Sequence, residues 1–592
     1  MRGPPAPPPR HPTLAHALLA AATHPSGVTF VDLREREVRL GWDQVVARAR
    51  AAGARFRAWG VAPGDRVAIV LRTEPAFLDA FFGTWLAGAV PVPLYPPVRL
   101  GRLEEYRTAT ARMLALSGAR LVVSGGGTLG LLGEVVERVA PPLGCRDAAE
   151  LTAGTPAARH AAYHADQLAP PQALGLIQFS SGSTVDPKPV ALTHAALQAQ
   201  VDALTVLVEP GPADVLVSWL PLYHDMGLLG GLLAGMSYPG PLVLIPPEHF
   251  LARPALWLRA VARHRGTVSP APSFAYAYCA DRVTDADLAG HDLRSWRLAL
   301  DGAEPVSGEA LRRFAARFAP HGFDPRSLVP VYGLSEAALA LTFSARGARL
   351  EGRHVDAARL ARDGLVVEGD REVVPVGTPV PGTEVEVRDA QGRPIGDDRL
   401  GRIWARGPSL FAGYFGDQAA TAKALVEGWL DTGDLGFWSG GQLHVHGRAK
   451  DLVIIRGANH APEEFEESLT GLEGLRPGCA VALGRPEPDG GESLLILAER
   501  SQDRDPGGDA ALEESVRRGV LRRSGIAPAE VRLLTPGTLP RTSSGKLRRQ
   551  EALRRWMAGC LTESPRVGPL SLALAAIRSR LALERARRAR PV

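Results

Sequence analysis

Short apolar segments alternate with longer helical ones through the first half of the chain, and that alternation restricts the fold more than any other feature. Arg66–Leu71 reads as a strand, Glu74–Ala87 as a helix, Val90–Pro93 as a strand, Leu103–Leu116 as a helix and Ala119–Ser124 as a strand. The rhythm returns at Val215–Trp219, Leu242–Ile245, Gly266–Ser269 and Leu298–Asp301, with helices at Pro254–Arg265 and Gly308–Phe318. Strand–helix–strand units of this kind build parallel sheets covered by helices. From about Val376 the pattern changes to short β segments between glycine turns, at Val385–Arg388, Gly401–Arg406 and Gln442–Gly447. Another change follows Lys450, where Leu452–Ile455 opens a compact segment that ends near Ala558.

Composition excludes several classes. A chain of 592 residues that is 45% hydrophobic and 22% charged has several globular domains. Its formal charge of +5 is small, and the arginines of Arg48–Arg57 interleave with alanine, so nucleic acid is not the expected partner. Cys145, Cys279, Cys479 and Cys560 lie far apart, which argues against a disulfide framework or a zinc site and fits a reducing, cytoplasmic compartment. The proline-rich Met1–Pro12 is expected to be disordered, and Leu14–Ala22 is read as a first helix rather than a signal-peptide core. No run approaches the length of a membrane span.

Phe179–Val190 is dense in hydroxyls around Gly182, with Lys188 close behind and the apolar Ala173–Ile177 just before. Hydroxyls, backbone N–H groups and a lysine suit phosphate oxygens, although the spacing is not that of a P-loop and a surface turn has the same composition. Tyr332-Gly333-Leu334-Ser335-Glu336 follows the strand-like Leu328–Val331 and puts a carboxylate at a strand end, where α/β proteins bind ligands. Trp429–Gly436 offers acidic groups in what reads as a tight turn, and Asp434 can accept from both hydroxyls of a ribose. Pro540–Lys546 sets Lys546 on a glycine-containing loop. Taken singly, Glu336 is equally a helix N-terminal carboxylate, Asp434 a turn aspartate and Lys546 a solvated lysine.

In this order the motifs resemble the adenylate-forming superfamily of acyl-CoA synthetases, adenylation domains and luciferase, from about Thr13 to Ala558. The likeness is to the fatty acyl-AMP ligase branch. Ser218–Gly227, Phe250–Pro254, Ala271–Tyr276, Asp301–Val306 and Pro97–Tyr106 carry it. The resemblance implies an α/β fold: a large N-terminal domain of two βα-type subdomains (13–449) with a small β-rich subdomain (about 376–449). A small mobile α+β C-terminal domain (450–560) and a basic tail (561–592) follow.

It also implies ATP-dependent activation of a fatty acid as acyl-adenylate, with Mg²⁺, followed by transfer to a phosphopantetheine thiol. Ser180, Ser181, Gly182, Ser183, Thr184 and Lys188 are expected at the phosphates, with Thr184 and Glu336 on Mg²⁺. Gly302, Ala303, Glu304, Pro305, Tyr332 and Gly333 are expected around adenine, and Asp434 and Arg448 at the ribose. Lys546 is expected to bridge carboxylate and α-phosphate, His224 to guard the acyl pocket, and Lys450 to act as hinge.

The long Ala337–Val376 connection resembles the insertion of acyl-AMP ligases, which points to a separate acyl carrier protein as acceptor. CoA is the alternative acceptor, and a non-catalytic adenylate-binding scaffold is a second alternative. Val185 and Pro189 stand where the family has glycine, Ser273 where it has asparagine, and Ala458 interrupts its Gly-Arg-Asn. Gly490–Leu494 mimics a phosphopantetheine attachment site but leads into a strand, so no fused carrier is expected. The tail Leu570–Arg590 reads as a basic amphipathic helix, either solvated or touching an acidic carrier or an anionic membrane surface.

Overall fold

The computed structural model describes residues 1–97, 102–153, 168–180, 187–487, 491–501, 508–542, 546–562 and 569–588, with backbone alone at 569–573 and 587–588. The architecture is α/β, and two parallel sheets form the frame. The smaller runs Val90–Pro93, Arg66–Val70, Leu121–Ser124, Gly144–Asp147, all neighbours parallel.

The larger has nine strands. Its centre is parallel in the order Leu328–Gly333, Leu298–Asp301, Val268–Ala271, Leu216–Ser218, Leu242–Leu244, Gly27–Val31. Antiparallel strands close both edges, Ala340–Phe343 with Thr378–Pro379 on one side and Glu37–Gly41 on the other. Most strands are apolar on both faces because helices cover both sides. One cover is an aromatic cluster in which Trp257 meets Phe250, Tyr276 and Trp296 edge to face, at centroid distances of 5.7, 5.6 and 5.1 Å.

A five-stranded antiparallel sheet, Glu384–Arg388, Gly401–Arg406, Trp429–Ser439, Leu425–Val426 and Gln442–Arg448, makes the β-rich part. The Trp429–Gly436 motif is therefore not a tight turn but part of an eleven-residue strand. Gly433, at φ 81°, lets that strand bulge where a side chain would be strained, and the register shifts on both flanking strands.

The N-terminal segment also departs from expectation. Met1–Pro4 lies on the edge strand Glu384–Arg388, with Val385 N donating to Met1 O (2.8 Å), Gly3 N to Thr383 O (2.8 Å) and Gly382 N to Pro4 O (2.7 Å). Proline content lowers the cost of ordering this segment, and an open sheet edge supplies its partners.

The C-terminal part pairs Leu475–Pro486, Glu492–Arg500 and Glu530–Leu534 in one sheet, with helices Asp509–Ser524 and Arg549–Met557 and the hairpin Val453–Ile455/Ala458–His460. Glu492–Leu494 belongs to a strand of that sheet. The tail forms a helix, Pro569–Arg588, and it is docked rather than solvated on all sides. Gly133 N donates to Ser579 Oγ (2.6 Å), Ala582 is fully buried, and Arg585 pairs with Glu137 (2.7 Å).

Candidate functional site

Neighbouring parallel strands of the large sheet all end on one side, so the loops that follow them converge there. Ser218 leads to Tyr223-His224-Asp225, Ala271 to Ser273-Phe274, Asp301 to Gly302–Pro305, and Gly333 to the short helical turn Ser335–Ala337. Close packing fixes some of these residue types. A Cβ on Gly302 would stand 2.7 Å from Val331 Cγ2 and 3.0 Å from Val331 O, so only glycine lets this loop lie against the next strand.

A cavity of about 420 Å³ opens at this edge. Ser180, Lys188, His224, Asp225, Ala303, Tyr332, Gly333, Glu336, Arg448, Lys450 and Lys546 line it. Apolar side chains line it too, among them Leu204, Val208, Leu216, Val268, Leu300 and Phe343.

Two carboxylates, Asp225 and Glu336, line the cavity and a third, Asp434, stands behind Tyr332; each is held by its own partner. Tyr332 Oη donates to Asp434 Oδ2 (2.7 Å), and Arg448 Nε lies 3.4 Å from Asp434 Oδ1. Tyr414 Oη donates to Glu336 Oε1 (2.8 Å), while Lys188 Nζ sits 4.4 Å above the Tyr414 ring. Ser335 Oγ donates to Asp225 Oδ2 (2.5 Å), and His224 Nδ1 lies 2.7 Å from Asp225 Oδ1.

Environment then separates these groups. Burial works to raise the Asp225 carboxyl, but His224, the Ser335 hydroxyl and the Lys546 charge outweigh it and hold the acid well below the usual carboxylate range. Burial wins at Glu336 and pushes it up, against the Tyr414 hydrogen bond and Arg448. Lys546 is pressed below the ordinary lysine value by burial, with Asp225 opposing, Arg448 adding to the depression, and Glu304 opposing it. A cation and anions thus share a low-dielectric pocket, where their interactions are strengthened.

Residues 19–415 match the model of the AMP-binding enzymes. The chain belongs to the AMP-binding enzyme family. This AMP-binding enzyme is 36% identical over 561 residues to a putative acyl-CoA synthetase of Caulobacter vibrioides, covering 93% of this chain and 96% of that protein. It is 28% identical over 603 residues to the medium-chain-fatty-acid–[acyl-carrier-protein] ligase TtuA of Teredinibacter turnerae, covering 92% and 91%. One solved structure, from work on fatty acyl-adenylate ligases of E. coli and L. pneumophila, superposes with a TM-score of 0.87 at 34% identity, covering 93% of this chain and 98% of that one.

Of the residues singled out from sequence, Ser180, Lys188, His224, Ala303, Tyr332, Gly333, Glu336, Arg448, Lys450 and Lys546 meet at the AMP-binding enzyme's cavity. Asp434 stands behind Tyr332. Gly302, Glu304 and Pro305 belong to the adjoining loop, where Glu304 Oε1 accepts from Phe274 N (2.6 Å). Ser181, Gly182, Ser183, Thr184 and Val185 lie outside the described residues.

Pro189 opens the strand Pro189–Thr193, opposite Phe179, and its carbonyl accepts from Phe415 N (2.8 Å). Ser273 Oγ donates to the buried Asp301 Oδ2 (2.6 Å), giving this departure from the family pattern a local partner. Asp225, Ser335 and Tyr414 were not assigned roles from sequence. The first two lay inside motifs already marked, so a paired acid and hydroxyl was detectable there. Tyr414 reaches Glu336 from 78 positions away, through the strand Gly413–Tyr414 that pairs with Pro189–Thr193.

Proposed function

We propose that this enzyme activates a fatty acid as its acyl-adenylate and then passes the acyl group to the phosphopantetheine thiol of an acyl carrier protein. A carboxylate oxygen of the acid attacks the α-phosphorus of ATP. The carboxyl–phosphate bond forms as the α–β bridging bond breaks, and pyrophosphate leaves with the electron pair. In the second step the thiol sulfur attacks the acyl carbonyl carbon, AMP leaves as its phosphate anion, and the thiol proton passes to solvent. Neither step needs a protein nucleophile, so the protein works by positioning and charge stabilisation.

The reading rests on one observation: Lys546, from the C-terminal domain, lines the same cavity as Asp225, Glu336 and Arg448. There its ammonium can meet the carboxylate and α-phosphate oxygens together. Asp434 and Arg448 hold the ribose, Gly302–Pro305 with Tyr332 and Gly333 flank the adenine, and Ser180–Lys188 takes the β- and γ-phosphates. His224, in the cavity lining, positions the acyl carboxylate.

Mg²⁺ is usually held by one or two carboxylates with phosphate and water oxygens completing its shell. Glu336 supplies such a carboxylate within the cavity, with Thr184 as the second protein oxygen. When bound, the ion neutralises charge on the phosphates.

The carrier-protein acceptor is supported by the segment between Phe343 and Thr378. Its helix Ala357–Asp363 leans on the C-terminal domain, against Ala458–His460, while its hairpin Arg353–Val355/Arg371–Val373 packs beside Phe437 and Gln442–Arg448. Arg371, with Nε and Nη1 buried, faces Glu463 and Glu467 of that domain. A restrained C-terminal domain narrows the approach for a free thiol. The CoA alternative is favoured by the name of the Caulobacter relative.

The test is to incubate the protein with ATP, Mg²⁺ and a fatty acid panel, follow pyrophosphate, and then offer the purified acyl-adenylate to CoA and to a holo carrier protein. Pyrophosphate release and carrier acylation are expected. Faster turnover with CoA overturns the acceptor, and ATP binding without pyrophosphate release from any acid supports a scaffold.

A further inference from the structure

The docked C-terminal helix carries a second apolar face that none of the described residues covers. Leu574, Ile577 and Leu581 are 47, 55 and 50% exposed, whereas core leucines are buried. At helical spacing these three fall within an arc of about 60°. Ser579, Ala582 and Leu583, buried against the body, lie on the opposite side. The stripe is thus fixed outward by the hydrogen bond from Gly133 to Ser579 and the Arg585–Glu137 pair. Exposed Arg578 and Arg580 flank it on either side.

Charge is concentrated in the same place. Residues 569–592 hold six arginines and one glutamate, so their excess equals the +5 of the whole chain, and the rest is formally neutral. We propose that the Leu574–Ile577–Leu581 face, rimmed by Arg578 and Arg580, binds the surface of an anionic lipid bilayer.

The shape favours this occupant over a protein. Three apolar side chains on one convex helix fall well short of the roughly 1,000 Å² that a stable dimer buries. Protein hot spots also centre on aromatic anchors, and residues 569–592 contain none. A bilayer interface deforms around such a ridge and rewards a leucine and isoleucine stripe beside arginines. None of the described helices is long and apolar enough to cross a membrane, so the contact is one of lying on the surface. The proposal does not depend on which acid or acceptor the enzyme uses.

Flotation of the full chain with vesicles of phosphatidylcholine alone, and with roughly 30% phosphatidylglycerol, tests it. The protein is expected to float with the anionic vesicles only, and less so as salt rises. The triple variant Leu574→Ser, Ile577→Ser, Leu581→Ser and the double variant Arg578→Glu, Arg580→Glu should each lower the bound fraction about tenfold or more. Both should keep the melting temperature and the vesicle-free rate of pyrophosphate release. If the triple variant does not fold, the double variant decides.

Failure of the unaltered protein to float, or equal flotation of the variants, overturns the proposal. So does a stripe change that removes self-association in sedimentation, or binding to an acidic carrier protein, while leaving vesicle binding intact.

Discussion

The two walls of the cavity are built differently. On the main body, Ser335 and Tyr414 hold the lining acids Asp225 and Glu336, and the lining Tyr332 is held by Asp434 behind it, through hydrogen bonds of 2.5 to 2.8 Å. On the other side Lys546 belongs to the C-terminal part, whose contacts with the body near Arg102 and Glu105 are polar and partly exposed. Arg102 Nη2 donates to Thr538 O (3.0 Å), and Arg555 pairs with Glu105 (3.0 Å), whose side chain is half exposed. Buried networks of the first kind resist rearrangement, while contacts of the second kind exchange with water at little cost. The contrast is between a wall fixed by short buried hydrogen bonds and one whose contacts with the body are in part exchangeable with water.

The largest test of that contrast is Lys546→Ala. It should lower the rate of pyrophosphate release about a thousandfold while leaving thiol transfer from preformed acyl-adenylate nearly intact. An equal loss in both half-reactions would put Lys546 on the fixed wall. Asp434→Ala belongs to that fixed wall, and it should weaken nucleotide binding about ten- to a hundredfold in both half-reactions, read as the KM for ATP and as retention of AMP.

Two smaller effects sharpen the comparison through pH and stability. Because burial lowers the Lys546 pKa from 10.5, the alkaline limb of the adenylation profile should fall below the free-lysine value. Lys546→Arg should move that limb upward, whatever its rate. Arg555→Ala, at the detachable wall, should cost less than about 1 kcal/mol in stability and change the ratio of the two half-reaction rates by no more than a few-fold, measured side by side.

Within the body, burial opposes ionisation of Asp214, but Arg297 and neighbouring hydrogen bonds hold its pKa at about 2, down from 3.8. The folded value is depressed, so this stabilisation is present above the unfolded value and is lost as pH falls through the folded one. The melting-temperature gap between the native chain and Arg297→Gln should therefore shrink between about pH 4 and pH 2.

Much of the frame could be read from residue order. The strands Arg66–Val70, Val90–Pro93, Leu298–Asp301 and Gly401–Arg406 fall within a residue of the segments their apolar runs suggest. Doubly covered strands leave continuous apolar runs, which are local signals. What stayed hidden depends on distant partners. Asp434 reads as a turn residue because Thr-Gly-Asp is turn chemistry, yet pairing with Gln442–Arg448 and Gly401–Arg406 draws it into a long bulged strand. Tyr414 has no local mark of its contact with Glu336. Met1–Pro4 looks disordered until the open edge at Glu384–Arg388 is in view.

The docked helix has a mechanical consequence. Leu561 still packs in the core of the C-terminal domain, and the helix on the body begins at Pro569. Only residues 562–568 join them, a length that reaches at most about 25 Å when fully drawn out. The domain carrying Lys546 is therefore tied at both ends, by its entry near Lys450 and by this short leash. Covalent chain length thus sets an outer limit on any separation of this part from the body, a limit that adding or deleting residues in 562–568 should lengthen or shorten.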